Sequence, residues 1–253
     1  MAVKELEEST ETRSGRNDHE MSFLDHLEEL RLRLIRIALG VVIGMAITLA
    51  FNSYIIDYFL LLPAKNLGLT LQNLRPFGQL FLYFEVGIVS GIILSLPNVF
   101  YQLWKFIYPA LEGKERKYIF YIVLFSTLCF LAGIVFAYFV MIPLTLNFAA
   151  SFGTETIKNE FSLDEYMNLI ISIMLASGTV FELPMISFFL SKLGLLSPEF
   201  MRKYRRHAIV ILMIAAAFLS PGTDPVSQVM LAIPLLILYE ISIAISKWAV
   251  KKN

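Results

Sequence analysis

Charge is scarce in this sequence. Asp, Glu, Lys and Arg make up 17% of the residues, against roughly 25% in an ordinary soluble domain. The two signs cancel at 21 each, so no net field draws the chain to nucleic acid. Cysteine is nearly absent: Cys129 stands alone inside an apolar run, which excludes a disulfide framework or a thiolate metal cluster and predicts a small packed hydrophobe. The three histidines, His19, His26 and His207, are scattered, with no ligand spacing among them. There is no Gly-rich phosphate loop and no nucleophile with a base in reach, so neither a cofactor nor a metal is expected and enzyme chemistry has little to stand on. An internal repeat is also lacking, and with it the inverted halves of many secondary transporters.

Apolar residues fill the space that charge leaves, at 57% of the chain with 21 Phe. A hydrocarbon core of roughly 30 Å needs about 20 apolar residues in a helix. Runs at about Ile37 to Ile56, Leu80 to Tyr101, Ile119 to Leu146, Leu169 to Leu190, Ala208 to Leu219 and Val226 to Ile245 predict an all-α membrane protein with six spans. The fifth is short, roughly 18 Å of helix, and predicts local thinning of the bilayer. Pro97, Pro143, Pro184 and Pro234 lie inside spans, each removing a backbone donor, so the helices should be kinked around a concavity.

The charges sit in the connections. One side would hold Arg31, Arg33, Arg36, Lys105, Lys114, Arg116, Lys117, Lys192, Arg202, Lys203, Arg205, Arg206, Lys247, Lys251 and Lys252. The other keeps Lys65, Arg75 and Lys158. By the positive-inside rule both termini are cytoplasmic. Residues 1–21 read as a disordered polar cytoplasmic tail, without the apolar stretch of a cleaved signal peptide, ahead of a membrane domain over residues 22–250. Ser162 with Glu165 forms a capping-box pattern at the start of the fourth helix.

The stretch Asp25 to Leu34 organises the rest. Leu27, Leu30, Leu34 and Ile37 share one helical face, opposite Glu28, Glu29, Arg31, Arg33 and Arg36, which predicts an amphipathic helix lying at the membrane surface before the first span. Glu29 stands four residues before Arg33, an ordinary intrahelical pair, and Glu115 stands among bases in a loop. Together, two such carboxylates on one face could bind a pair of guanidinium groups. Glu182, deep in the fourth span, costs about 3 kcal/mol to insert as a charge, so it is either a functional polar site or a neutral carboxyl bonded to a carbonyl freed by Pro184. Glu85 and Glu240 lie nearer span ends, where interfacial solvation suffices.

An ordered set of motifs then carries a resemblance. It comprises His26-Leu27-Glu28-Glu29-Leu30-Arg31-Leu32-Arg33-Leu34, Pro97 to Tyr101 with Gln102-Leu103-Trp104-Lys105-Phe106, and Pro109-Ala110-Leu111 to Glu115-Arg116. Phe136-Ala137-Tyr138-Phe139, Phe181-Glu182-Leu183-Pro184, and Asp224 with Ser227-Gln228 ahead of Leu231-Ala232-Ile233-Pro234 complete it. From Ser22 to Lys247 the chain resembles TatC, the receptor subunit of the twin-arginine translocase, which exports folded proteins. The resemblance implies a glove-shaped concave fold in the cell (inner) membrane and a non-enzymatic role in export driven by the proton-motive force. Glu29 and Glu115, with Arg31 and Phe106, would bind the Arg-Arg pair of a signal peptide; Glu182 would be the intramembrane polar site. Gln228, Ser220 and Asp224 would contact single-span TatA/TatB-type subunits, and the protein would self-associate in a receptor complex within the lipid bilayer. From the residues alone, a proton-coupled small-solute transporter using Glu182 stays open as the alternative.

Overall fold

The computed structural model describes residues 23–107, 119–151, 160–219 and 225–251. Six membrane-crossing helical elements make up nearly all of it. The first is Phe23–Ala50 and the second is Gly78–Ile107. The third runs through Ile119–Phe136, the π-helical turn Ala137–Met141 and Ile142–Ala150. The fourth is Leu163–Val180 continued by Leu183–Lys192, the fifth Arg205–Leu219 and the sixth Pro225–Lys251. Five of these paths are long and apolar enough to cross a bilayer unaided. The fifth is not: its 15 residues rise only about 22 Å.

The first span departs from the sequence reading. The charged segment around Glu28 and Arg33 is no separate surface helix; it is the opening of one unbroken helix from Phe23, which ends at Ala50, short of Ile56. The apolar run does continue past Ala50, but Asn52 turns inward and its Nδ2 donates to the Tyr83 carbonyl at 2.7 Å, and the chain then passes into a π-helical segment, Ile55–Leu60.

The first two spans lie against each other along their length because glycines let their backbones meet. A Cβ built on Gly44 would stand 2.6 Å from the Gly91 carbonyl oxygen, and one on Gly91 2.6 Å from the Met45 nitrogen. Gly40 and Gly44 on one helix and Gly87 and Gly91 on the other form paired small-residue stripes at four-residue spacing, the close-approach device of membrane helices. Side chains stitch the same seam: Thr48 Oγ1 donates to the Gly87 carbonyl at 3.1 Å and Asn98 Nδ2 to the Arg36 carbonyl at 3.2 Å. The third and fourth spans repeat the close approach at Gly133 and Gly178.

Of the four intraspan prolines, two coincide with irregular backbone. Pro143 has no N–H to give, and just before it the ladder resets as Ile142 N–H donates five residues back to Ala137. Pro184 follows the break at Phe181 and Glu182. Helix runs uninterrupted through Pro97 and Pro234.

One end of the bundle is closed by a cap built from the Ile55–Leu60 and Leu62–Asn66 turns and a two-residue parallel strand pair, Leu71–Gln72 with Phe161–Ser162. Two buried tyrosines pin it. Tyr166 Oη donates to the Leu60 carbonyl at 2.7 Å and accepts from Ala64 N–H at 3.2 Å, while Tyr138 Oη donates to the Phe59 carbonyl at 3.0 Å. Ser162 does precede the fourth helix, but its backbone is committed to the strand pair and its side chain makes no cap bond, so the capping box is not formed.

Candidate functional site

The opposite end, a rim where the first span begins and the second ends, gathers charge. Glu29 and Arg33 lie one turn apart, and Arg33 Nη2 pairs with Glu29 Oε1. Arg33 is only 5% exposed, and its Nε and Nη1 have no partner among the described residues. The second carboxylate oxygen, Glu29 Oε2, is likewise buried without a hydrogen bond, with His26 Nδ1 at 3.9 Å. The His26 ring stacks on Phe106 from the second span, centroids 4.4 Å apart and planes inclined by 18°. This brings the first span's acidic turn and the second span's last aromatic into one patch. Beside it opens a cavity of about 360 Å³ lined by Glu28, Glu29, Leu32, Arg33, Arg36 and Lys105.

Arg31 projects from the same turn and is exposed. Glu115 lies outside the described residues, so its place relative to Glu29 is open; Ser220 and Asp224 lie outside them too. Gln228 is described: its Nε2 donates to the Met213 carbonyl at 3.2 Å, tying the sixth span to the fifth.

Glu182 is 7% exposed and turns toward the third span. Its carboxyl lies near the Ser126 side chain and the Phe130 backbone, and Trp104 Nε1 of the second span donates to the same Ser126 Oγ at 3.3 Å. Side chains of three spans thus meet at one buried polar spot, and the carboxyl makes no hydrogen bond to a carbonyl freed by Pro184 among the described residues. One oxygen, Oε1, keeps no partner among the described residues. The open apolar recess of about 300 Å³ between the first four spans is lined by Thr48, Phe59, Val86, Ser90, Leu131 and Met174 among others, without Glu182.

The family model for Sec-independent protein translocase protein (TatC) matches residues 25–234, most of the chain. The chain belongs to the TatC family. A TatC protein of Blattabacterium is 37% identical over 262 residues, spanning 93% of this chain and 98% of the relative. The TatC of Aquifex aeolicus is 35% identical over 236 residues, with 92% and 98% covered. A solved crystal structure of the twin arginine translocase receptor TatC superposes with a TM-score of 0.78 at 36% identity, covering 88% of this chain and 99% of that one. This TatC-family chain is therefore a component of a Sec-independent protein translocase and a six-helix integral membrane protein.

Sequence reasoning missed three elements of this arrangement. The paired glycine stripes were readable at four-residue spacing. The ion pair of Arg205 Nη2 with Glu240 Oε1 at 2.6 Å joins residues remote in sequence, as does the grouping of Trp104, Ser126 and Glu182; neither leaves a local pattern.

Proposed function

We propose that this TatC-family protein is the signal-peptide receptor of its translocase. The rim faces the cytoplasm, with both termini on that side, and the Arg-Arg pair of a signal peptide docks there. Glu29 offers its free Oε2 to one guanidinium, Glu115 serves the other, the stacked His26 and Phe106 rings give a flat surface for a planar cation, and Arg31 borders the patch. The peptide's apolar segment follows the recess between the spans. Single-span TatA/TatB-type subunits dock beside the fifth and sixth spans near Gln228, Ser220 and Asp224, copies of the receptor associate with one another, and the proton-motive force drives export.

The observation that carries this reading is the half-used carboxylate: Arg33 fixes one oxygen of Glu29, and the other is buried with no hydrogen bond, beside an aromatic wall. A carboxylate held in that way accepts a guanidinium without first having to find its orientation. The test is binding of an Arg-Arg signal peptide, against its Lys-Lys counterpart, to the purified protein and to the Glu29→Ala, Glu115→Ala double variant. Preference for Arg-Arg by about tenfold or more, lost in the variant, supports the reading; equal binding of both peptides by both proteins overturns it.

A further inference from the structure

The rim cavity has a second property that peptide capture does not use. Arg33 is buried and ion-paired on one nitrogen only, so three N–H donors, one on Nε and two on Nη1, point at no acceptor among the described residues. A buried cation with unmet donors is costly unless an acceptor arrives. Arg36 and Lys105 line the same cavity and make no ion pair among the described residues. Three cations therefore face two carboxylates there, and one of those, Glu29, is already engaged with Arg33. At about 360 Å³ the cavity has room for about a dozen waters, or for a small hydrated oxyanion.

The surroundings say where such an anion would come from. Just below the charged turn, Leu32, Leu34, Ile35 and Leu39 of the first span are 49%, 54%, 54% and 59% exposed. They form a surface for acyl chains, on the helix that carries Arg33 and Arg36 at the edge of the apolar run. Basic pockets between spans at this depth are the usual seats of acidic headgroups.

We infer that the Arg33, Arg36 and Lys105 cavity binds the phosphate of an anionic phospholipid, whose tails lie along the exposed leucines of the first span. The bound headgroup satisfies Arg33 and holds the first span's opening turn, and so Glu29, in place. The inference stands apart from the receptor reading and is tested without any peptide.

The experiment is native mass spectrometry of the purified full chain in neutral detergent, offered phosphatidylglycerol or phosphatidylcholine with identical tails. Alongside it, thermal unfolding is followed with and without inorganic phosphate. The wild type should retain phosphatidylglycerol in preference. The Arg36→Gln, Lys105→Gln variant should lose that preference by about fivefold for each cation removed, while unfolding at an unchanged temperature without lipid. Should the double variant not fold, Lys105→Gln alone carries the test, with half the logarithmic loss. Stabilisation of the wild type by phosphate with no preference between lipids overturns the lipid assignment in favour of a free oxyanion. Equal retention of both lipids by both proteins, with no phosphate effect, overturns the site itself.

Discussion

The two ends of the bundle treat polar groups in opposite ways. At the cap, most buried polar atoms are spent: the Tyr166 hydroxyl both donates and accepts, Tyr138 reaches the Phe59 carbonyl, and Asn52 Nδ2 reaches that of Tyr83, leaving Asn52 Oδ1 without a partner among the described residues. At the rim, Glu29 and Arg33 satisfy each other on one side only, and three of their buried polar atoms are left over. A protein can keep a few unmet buried groups where a ligand completes them, and natural structures otherwise avoid them. On the proposed reading, the cap is organised for stability and the rim for an incoming partner. Loss of a cap contact should lower stability and spare recognition, and loss of a rim contact should do the reverse.

Tyr166→Phe gives the largest stability effect. It removes one hydroxyl but strands two buried backbone groups, Ala64 N–H and the Leu60 carbonyl, at about 1 to 3 kcal/mol each. Thermal unfolding in detergent should show a loss of about 2 to 6 kcal/mol, with preference for Arg-Arg over Lys-Lys peptide retained. If discrimination vanishes while the unfolding temperature holds, the two ends have been assigned the wrong way round.

Glu29 sharpens the contrast because its pair with Arg33 serves both purposes. Glu29→Gln leaves the Arg33 guanidinium buried and unpaired, which is more damaging than removing both charges together. The single variant should lose about 1 to 3 kcal/mol of stability, and adding Arg33→Met should recover most of it, since the two residues touch and their effects do not add. Peptide binding should stay lost in both. Recovery of binding along with stability would make Glu29 a purely structural residue and end its role as a receptor carboxylate.

How much of this could be read in advance follows the range of the interactions. Apolar runs revealed every span, because burial in lipid is written residue by residue. The first span's start was misplaced because its opening turns are amphipathic: Leu27 and Leu30 belong to the same helix as Val42, although a hydropathy count sees only Glu28 to Arg36 between them. The pairing of Glu29 with Arg33 followed from spacing alone, while Phe106 joined the patch only through the family resemblance. The stack of His26 on Phe106 did not, since it needs the crossing of two spans that the glycines Gly44 and Gly91 set. Glu182 was recognised as anomalous, but its neighbour Ser126 is an unremarkable residue in an apolar run that only the fold brings near.

The smallest effect tests whether the cap is held by its buried bonds or by its visible charges. Arg75 Nε meets Asp164 Oδ2 at 3.1 Å, linking the cap loop to the first turn of the fourth span, but the arginine side chain is 73% exposed and the aspartate 19%. Water screens such a pair, and exposed pairs of this kind contribute about 0.2 to 1 kcal/mol. Asp164 also keeps a favourable place without its partner, because a carboxylate in the first turn of a helix faces the positive end of the helix dipole. Arg75→Ala should therefore cost under about 1 kcal/mol, and raised salt should shrink even that. Asp164→Asn should cost more, since it removes the helix-end interaction as well as the pair. If Arg75→Ala instead unfolds the protein as readily as Tyr166→Phe, measured side by side in the same detergent, the cap is an electrostatic clasp. Its difference from the rim would then lie in exposure alone and not in how completely its buried groups are satisfied.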